Sequence, residues 1–493
     1  MEDRHIVAVD LGTSKVALSV AKITDEDVQV IYYKEAPSKG VRNSYVFNSK
    51  ITEPLKELIS DAENELDIKI TQAVVGMPKY RVRQETGQAK LSRNEDECIS
   101  AEEINDLKMM ALETYPLENI EKESLFGAVA QSFSNGEDFQ LVENDIIGMP
   151  SDTLEGNFKI FIGNRRALHN IDVAFNNLGI GIARKYFTPD SVAKAVLTPT
   201  EMENGVALID FGAGATYVSV YYGSIMRHYA AIPFGGQVIT SDIKSECMIS
   251  TVLAENIKKA YGACMPDKLL NLSEKVIQIN SNSGAPNKQL PVKYLSEIIT
   301  YRVKEITDAM LYEIQKSGFA DNLRSGIVLT GGGANLTNCG NYIKELSGYN
   351  VRQGYPRHLF SYTGCEGVME TEASVSIGLI LTAKSDHVTN CIDGEQTIKS
   401  GTSVTFGKDN EEIIEYTASD TDETRKQVGQ EQETTDPTMF TDEEMGEKIK
   451  TSPNDKSVKE KPADDKKKKT PIWTKVGNLF HDFCSEISKE EDV

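Results

Sequence analysis

The chain has 493 residues, a net charge of −22 and 39% apolar residues, too long for one hydrophobic core and therefore two or more domains. Acidity without a basic domain excludes nucleic acid as a partner. Seven cysteines with no C-x-x-C pair and six histidines with no H-x-x-x-H cluster exclude a disulfide framework and a zinc site, and suit a reducing cytoplasm.

The opening "MEDRHIVAVDLGTSK" lacks the apolar core and cleavage site of a signal peptide, and no apolar run is long enough to span a bilayer. Within "IVAVDLGTSKVALSVAK" an apolar strand leads to Asp10, a tight Gly12-Thr13-Ser14 turn and a second strand that starts at Lys15. The same order returns in "VALIDFGAGATYVSVYYG": strand, Asp210, a Gly212-Ala213-Gly214 turn, Thr216 and strand. That repetition predicts a duplicated half. In "YLSEIITYRVKEITDAMLYEIQ", Ile298, Val303, Ile306, Met310 and Ile314 recur at helical spacing and predict a core-facing stripe. "IVLTGGGANL" then places Gly331, Gly332 and Gly333 after an apolar strand. Up to about Ala383 this alternation of strands and helices predicts an α/β fold.

Beyond His387 the apolar periodicity fades. Fourteen acids between Asp409 and Glu447, against Arg425 and Lys426, put −12 of the charge in one stretch. From Gly401 to about Asp465 the composition predicts an acidic flexible linker, with a short strand or binding motif at Val404, Phe406, Ile413 and Ile414 as the alternative. The ending differs. On a helix, Ile472, Trp473, Val476, Leu479, Phe480, Phe483, Cys484 and Ile487 share an arc of roughly 140°. Thr470 can cap that helix, and Pro471 fits its first turn. Led by Lys466, Lys467, Lys468 and Lys469, this segment predicts an amphipathic helix lying on anionic membrane lipid. Docking on the chain's own body or in a partner's groove is the other reading.

The three glycine-bearing loops suit a nucleotide. Glycines let backbone N–H groups approach phosphate oxygens. Thr13, Ser14 and Thr216 offer hydroxyls, Lys15 a point charge, and Asp10 and Asp210 suit a hydrated Mg²⁺. Gly331–Gly333 would let a nucleoside lie against bare backbone. One Asp-x-Gly turn is more often only a hairpin, but three loops in this order, in related halves, are specific. Neither a G-x-x-x-x-G-K-[ST] nor a strand-to-helix G-x-G-x-x-G is present.

These loops resemble those of actins, heat-shock chaperone ATPases and sugar kinases. Within that superfamily "DLGTSKVA", "PSKGVRN", "ALIDFGAGAT", "MRHYAAIPFGGQVITSDI", "AENIKKAYG" and "IVLTGGGANL" are similar to the FtsA family of bacterial cell-division proteins. The resemblance implies an actin-like (ribonuclease H-like) duplicated α/β fold with an FtsA-type 1C insertion. Subdomain 1A would take residues 1–83, 164–200 and 355–386, and 1C would take 84–163, with "ISAEEINDLKMMALE" as its helix. Subdomain 2A would take 201–239 and 315–354, 2B would take 240–314, the linker 387–465 and the membrane helix 466–493. ATP and Mg²⁺ are the implied cofactors, with Glu255 and Lys258 at ribose and adenine and Asn335 in the adenosine loop.

The implied partners are the FtsZ C-terminal peptide at Arg302 and Glu305, further copies in a filament, membrane lipid, and later division proteins through 1C. The implied place is the cytoplasmic face of the inner membrane at the division site. Other readings of the same fold are a sugar-type kinase and a pilus-assembly or shape-determining actin relative. Some loop residues depart from the pattern: Ala213 and Ala215 replace a glycine and a threonine, Tyr217 an acid, and Thr188 stands where chaperone-like ATPases often carry Glu. Those departures predict ATP binding with slow or absent hydrolysis.

Overall fold

The apolar run Ile6–Val9 lies fully buried in the strand Arg4–Leu11. A strand this apolar belongs inside a sheet covered on both faces. It pairs antiparallel with Lys15–Ile23, which pairs antiparallel with Val28–Pro37, and on its other side it pairs parallel with Gln72–Gly76. Gly181–Tyr186 and Ser361–Tyr362 complete a six-stranded sheet. The helices Asn48–Leu66 and Ser374–Ser385 pack on it.

A second sheet repeats the plan. Val206–Phe211 pairs antiparallel with Thr216–Tyr222, that strand antiparallel with Ile225–Ile232, and Val206–Phe211 parallel with Ile327–Thr330. The strand Val351–Gln353 closes its other edge. Three meandering strands with a parallel neighbour beside the first thus occur twice, as the repeated sequence pattern predicts. The actin-like duplicated fold follows from this repetition.

Between the first sheet's parallel strand and its last helices the chain makes an excursion. Arg83–Ser92, Thr153–Asn164 and Glu123–Ser134 form a separate three-stranded sheet in that spatial order. The helix Ala101–Glu113 covers it and buries Ile104, Leu107 and Ala111. Ser100 and Glu103 form a reciprocal capping box at its start, and Arg93 binds Glu103 at 2.5 Å. The Arg93 hydrogen bond, with those from Ser100, pulls the Glu103 carboxyl down to about 2.

The segment after the second sheet's meander supplies the helices Gly236–Cys247 and Thr251–Tyr261, a hairpin of Val276–Ile279 with Lys288–Pro291, and the long helix Val292–Lys316. Ile298, Val303, Ile306, Met310 and Ile314 are all buried along that helix, as their spacing predicts.

This computed structural model describes residues 4–24, 27–42, 45–94, 97–279 and 288–393. The expected acidic linker from 394 onward, and the expected membrane helix with its lysine lead, lie outside the described residues. One expected boundary moves. Residues 387–393 are part of the fold, not of the linker, because Ile392–Asp393 pairs with Lys69–Ile70 and the Cys391 N–H donates to His5 O at 2.8 Å. Among the described residues no helix is long and apolar enough to cross a membrane.

Candidate nucleotide site

Both Asp-led turns have the same tight geometry. A Cβ on Gly12 would fall 2.6 Å from Lys15 O, and one on Gly212 would fall 2.8 Å from Ala215 O. Each turn thus admits only glycine after its aspartate strand. Asp10 faces Ala17 across its hairpin, and Asp210 faces Tyr217 across the other. Thr13 is half-buried and Ser14 exposed at the first turn.

A residue that no motif marks joins the two. Lys79 follows the strand Gln72–Gly76 and donates from Nζ to Asp210 Oδ2 at 2.5 Å, with both side chains largely buried. Its Nζ also lies 4.5 Å over the Tyr217 ring, within cation–π reach. Burial opposes its charge, but Asp210, Tyr217 and Asp10 outweigh burial and hold the ammonium above the ordinary lysine range. Burial pushes the Asp10 carboxyl up, Lys79 pulls it down, and the nearby Asp210 pushes it up again. Asp10, Asp210 and Lys79 are therefore one electrostatic unit.

At the mouth of the cleft Lys15 binds Glu35 and, at 2.7 Å, Glu372 Oε2. Tyr33 Oη donates to Glu35, and Asn335 Nδ2 donates to Glu372 Oε1 at 3.3 Å. Burial works against the Glu372 carboxylate, but its bond to Lys15 outweighs it and keeps the group below the usual range. Tyr33, Glu35, Asn335, Gly367, Glu370 and Glu372 line a cavity of about 390 Å³ here.

The glycine loop meets the second turn directly. Gly331 has a φ of +83°, and a Cβ there would sit 2.7 Å from Asp210 Oδ1. A Cβ on Gly333 would collide with the Phe211 ring at 2.4 Å. Two of the three glycines thus have a packing reason of their own, and a Cβ on Gly332 would lie 3.3 Å from Glu372 Oε1.

The second turn also docks on a helix start. Gly236 N donates to Gly212 O at 3.0 Å, and Gln237 N donates to Ala213 O at 2.8 Å. Two N–H groups that a helix leaves unpaired at its N-terminus are satisfied this way. The "FGGQVITSDI" run needs Gly235 for that docking, since a Cβ there would lie 2.5 Å from Gly212 O.

Four expected site residues are buried or have partners within the fold. Thr216 is fully buried and donates to Phe234 O at 2.8 Å, so its hydroxyl serves the fold and not a phosphate; Gly214 beside it is buried too. Glu255 and Lys258 pair at 2.7 Å, and Lys258 Nζ also donates to Gly236 O at 2.9 Å and Thr240 Oγ1 at 2.8 Å. They tie the helix Thr251–Tyr261 to the helix Gly236–Cys247, so the lysine is neither an exposed surface charge nor unengaged. Burial opposes the Glu255 carboxylate, yet Lys258 holds it below the ordinary range.

Arg302 and Glu305 stand on the helix Val292–Lys316. Arg302 donates to both Asp242 oxygens, at 2.6 and 3.0 Å, and to Glu305 Oε2 at 2.6 Å. The fork expected to await a peptide carboxylate already holds an internal one.

Among the described residues no three His, Cys, Asp or Glu side chains gather as a metal cage. A divalent cation would rest on Asp10 and Asp210 through water and on phosphate oxygens, which suits Mg²⁺. Thr188 is buried against Gly76, and its hydroxyl has no hydrogen-bond partner among the described residues.

Two strand–Asp–turn–strand units, each on its own copy of the repeated sheet, have the plan of an actin-like protein. The PilM–PilN type IV pilus biogenesis complex contains a chain of similar fold, with a TM-score of 0.56 at 14% identity over 77% of this chain and 98% of that one. The cell division protein FtsA of Neisseria meningitidis is 31% identical over 383 residues, covering 77% of this chain and 90% of the relative. The FtsA of Bacillus subtilis is 25% identical, covering 76% and 82%. The sequence profile of the family described as cell division protein FtsA matches residues 207–378. The chain belongs to the FtsA family of cell-division proteins.

Proposed function

We propose that this chain is an ATP-binding, filament-forming division protein that tethers the FtsZ ring to the cytoplasmic face of the membrane. The observation that carries the nucleotide part is the meeting of Asp10, Asp210 and Lys79 between two matching turns. With all groups ionised, Asp10, Asp210, Glu35 and Glu372 outnumber Lys15 and Lys79 by two charges. A triphosphate therefore enters such a cleft accompanied by a divalent cation, and Mg²⁺ is the natural one. Ala213, Ala215 and Thr188 supply no group to activate water, so the chain is a nucleotide switch and at most a slow ATPase.

FtsZ would contact the Arg302–Glu305 face, later division proteins the three-stranded excursion, and lipid the C-terminal segment with Trp473 and Phe480. One amphipathic helix binds reversibly, so polymerised bodies strengthen attachment by avidity. Mg-ATP affinity tests the nucleotide assignment. Asp10→Ala and Asp210→Ala should each lose metal-dependent binding, and unchanged affinity in both would remove it.

A further inference from the structure

Lys79 belongs to none of the loops that mark the cleft, yet its ammonium is the one most deeply held there. Its Nζ is 2.5 Å from Asp210 Oδ2, and the two side chains are 17% and 14% exposed. The Tyr217 ring lies 4.5 Å beneath it. Tyr229 Oη donates to the Lys79 carbonyl, and the Tyr217 and Tyr229 rings stack at 6.5 Å, so backbone and platform are both fixed. Lys15, by contrast, divides its bonds between two carboxylates at the mouth of the cleft.

Removing one member of a buried ion pair leaves an uncompensated charge, so such pairs exchange partners and do not simply open. Asp210 has one natural new partner, the water shell of a phosphate-bound metal, and Lys79 has the other, a phosphate oxygen. A lysine ammonium has three rotatable donors and can make that change without moving its backbone. We propose that Lys79 is a phosphate-contacting cation of this cleft and, before phosphates arrive, the counter-ion of Asp210, so that divalent metal enters only together with nucleotide. The inference rests on the nucleotide reading above and names the residue that couples metal entry to the phosphates.

The test is calorimetric binding of ATP, ADP and AMP, each with Mg²⁺, to full-length wild type, Lys79→Met and Lys79→Arg. Lys79→Met should weaken ATP roughly ten- to hundredfold, the loss of one charge-assisted hydrogen bond, ADP less, and AMP by no more than about twofold. Lys79→Arg should restore most of the ATP affinity. Electron paramagnetic resonance of Mn²⁺ gives a second measurement that needs no variant: nucleotide-free wild type should take up none, and ATP should bring it in. Lys79→Met should bind Mn²⁺ without nucleotide, since Asp210 is then unpaired.

Equal losses for all three nucleotides, or no rescue by arginine, would mean a packing role and overturn the proposal. So would stoichiometric Mn²⁺ uptake by nucleotide-free wild type. If wild type binds Mg-ATP and Lys79→Met binds it equally well, this inference alone falls. If wild type binds no nucleotide, the reading beneath it falls as well.

Discussion

Gly235→Ala isolates the contact that holds the second Asp-led turn in place. Gly235 has a φ of −152° and a ψ of −161°, extended backbone that alanine adopts, so the substitution brings no left-handed strain. Its cost is steric. The new methyl would lie 2.5 Å from Gly212 O and 2.6 Å from Ala213 O, and both are backbone atoms that cannot swing aside. Relief requires the turn to withdraw from the helix, which breaks the Gly236 N to Gly212 O and Gln237 N to Ala213 O bonds. Overpacking costs about 1–3 kcal/mol and each of the two backbone bonds about 1 kcal/mol, so a loss of about 3–5 kcal/mol is expected. Gly348→Ala is the control. Gly348 has a φ of +77° with open space around its Cβ position, so that variant loses about 1–2 kcal/mol through strain alone and leaves the cleft untouched. Thermal unfolding and Mg-ATP titration are measured on both. Gly235→Ala should lower the melting temperature further than Gly348→Ala and weaken ATP, while Gly348→Ala should bind ATP normally. A Gly235→Ala protein that melts and binds like wild type would refute the docking of turn on helix.

Asp242→Asn should leave Arg302 with only Glu305 as a charged partner and raise its affinity for an FtsZ C-terminal peptide severalfold by fluorescence anisotropy, whereas Arg302→Glu should abolish binding; equal affinities would place the peptide elsewhere. Glu103, titrating near 2 when folded, contributes stability that is present above the ordinary carboxylate range and is lost as pH falls through its folded value. Glu103→Gln, which lacks the Arg93 pair, should therefore be less stable than wild type at neutral pH, and the gap should close as pH falls toward 2; a gap that does not change with pH would count against the pair. Trp473 fluorescence should shift to the blue on anionic vesicles, and Phe480→Glu protein should stay in the supernatant when vesicles are pelleted. Pelleting like wild type would make docking on a partner the better account of the C-terminal segment.

Much of the cleft was legible because tight turns need particular residue types. Asp10 with Gly12 and Asp210 with Gly212 stand out in sequence, since a strand ending in an acid and a small-residue turn is a local pattern. The stripe on the helix Val292–Lys316 was legible for the same reason, its period being written within one element. Uses that depend on distant neighbours were not. Thr216 reads as a phosphate ligand until the strand pairing buries it, and Arg302 reads as unengaged until Asp242, 60 residues away, accepts its Nε and Nη2 hydrogens. Likewise the chain past His387 reads as linker although Ile392 and Asp393 pair with a strand more than three hundred residues earlier.

Lys79 is the instructive omission, because the duplication itself points to it. In the second half, the strand lying parallel to the aspartate strand is Ile327–Thr330, and Gly331–Gly333 follow it into the cleft. In the first half the corresponding parallel strand is Gln72–Gly76. The residues after it occupy the equivalent loop, and there stands "MPKY". The first half's counterpart of the glycine loop is therefore the loop that carries Lys79. The two loops diverge in chemistry but converge on one carboxylate: a Cβ on Gly331 would lie 2.7 Å from Asp210 Oδ1, and Lys79 binds Asp210 Oδ2. Asp210 thereby meets a loop from each half of the fold. On the proposed nucleotide reading, a change of partner at that single side chain would reach the loop of each half.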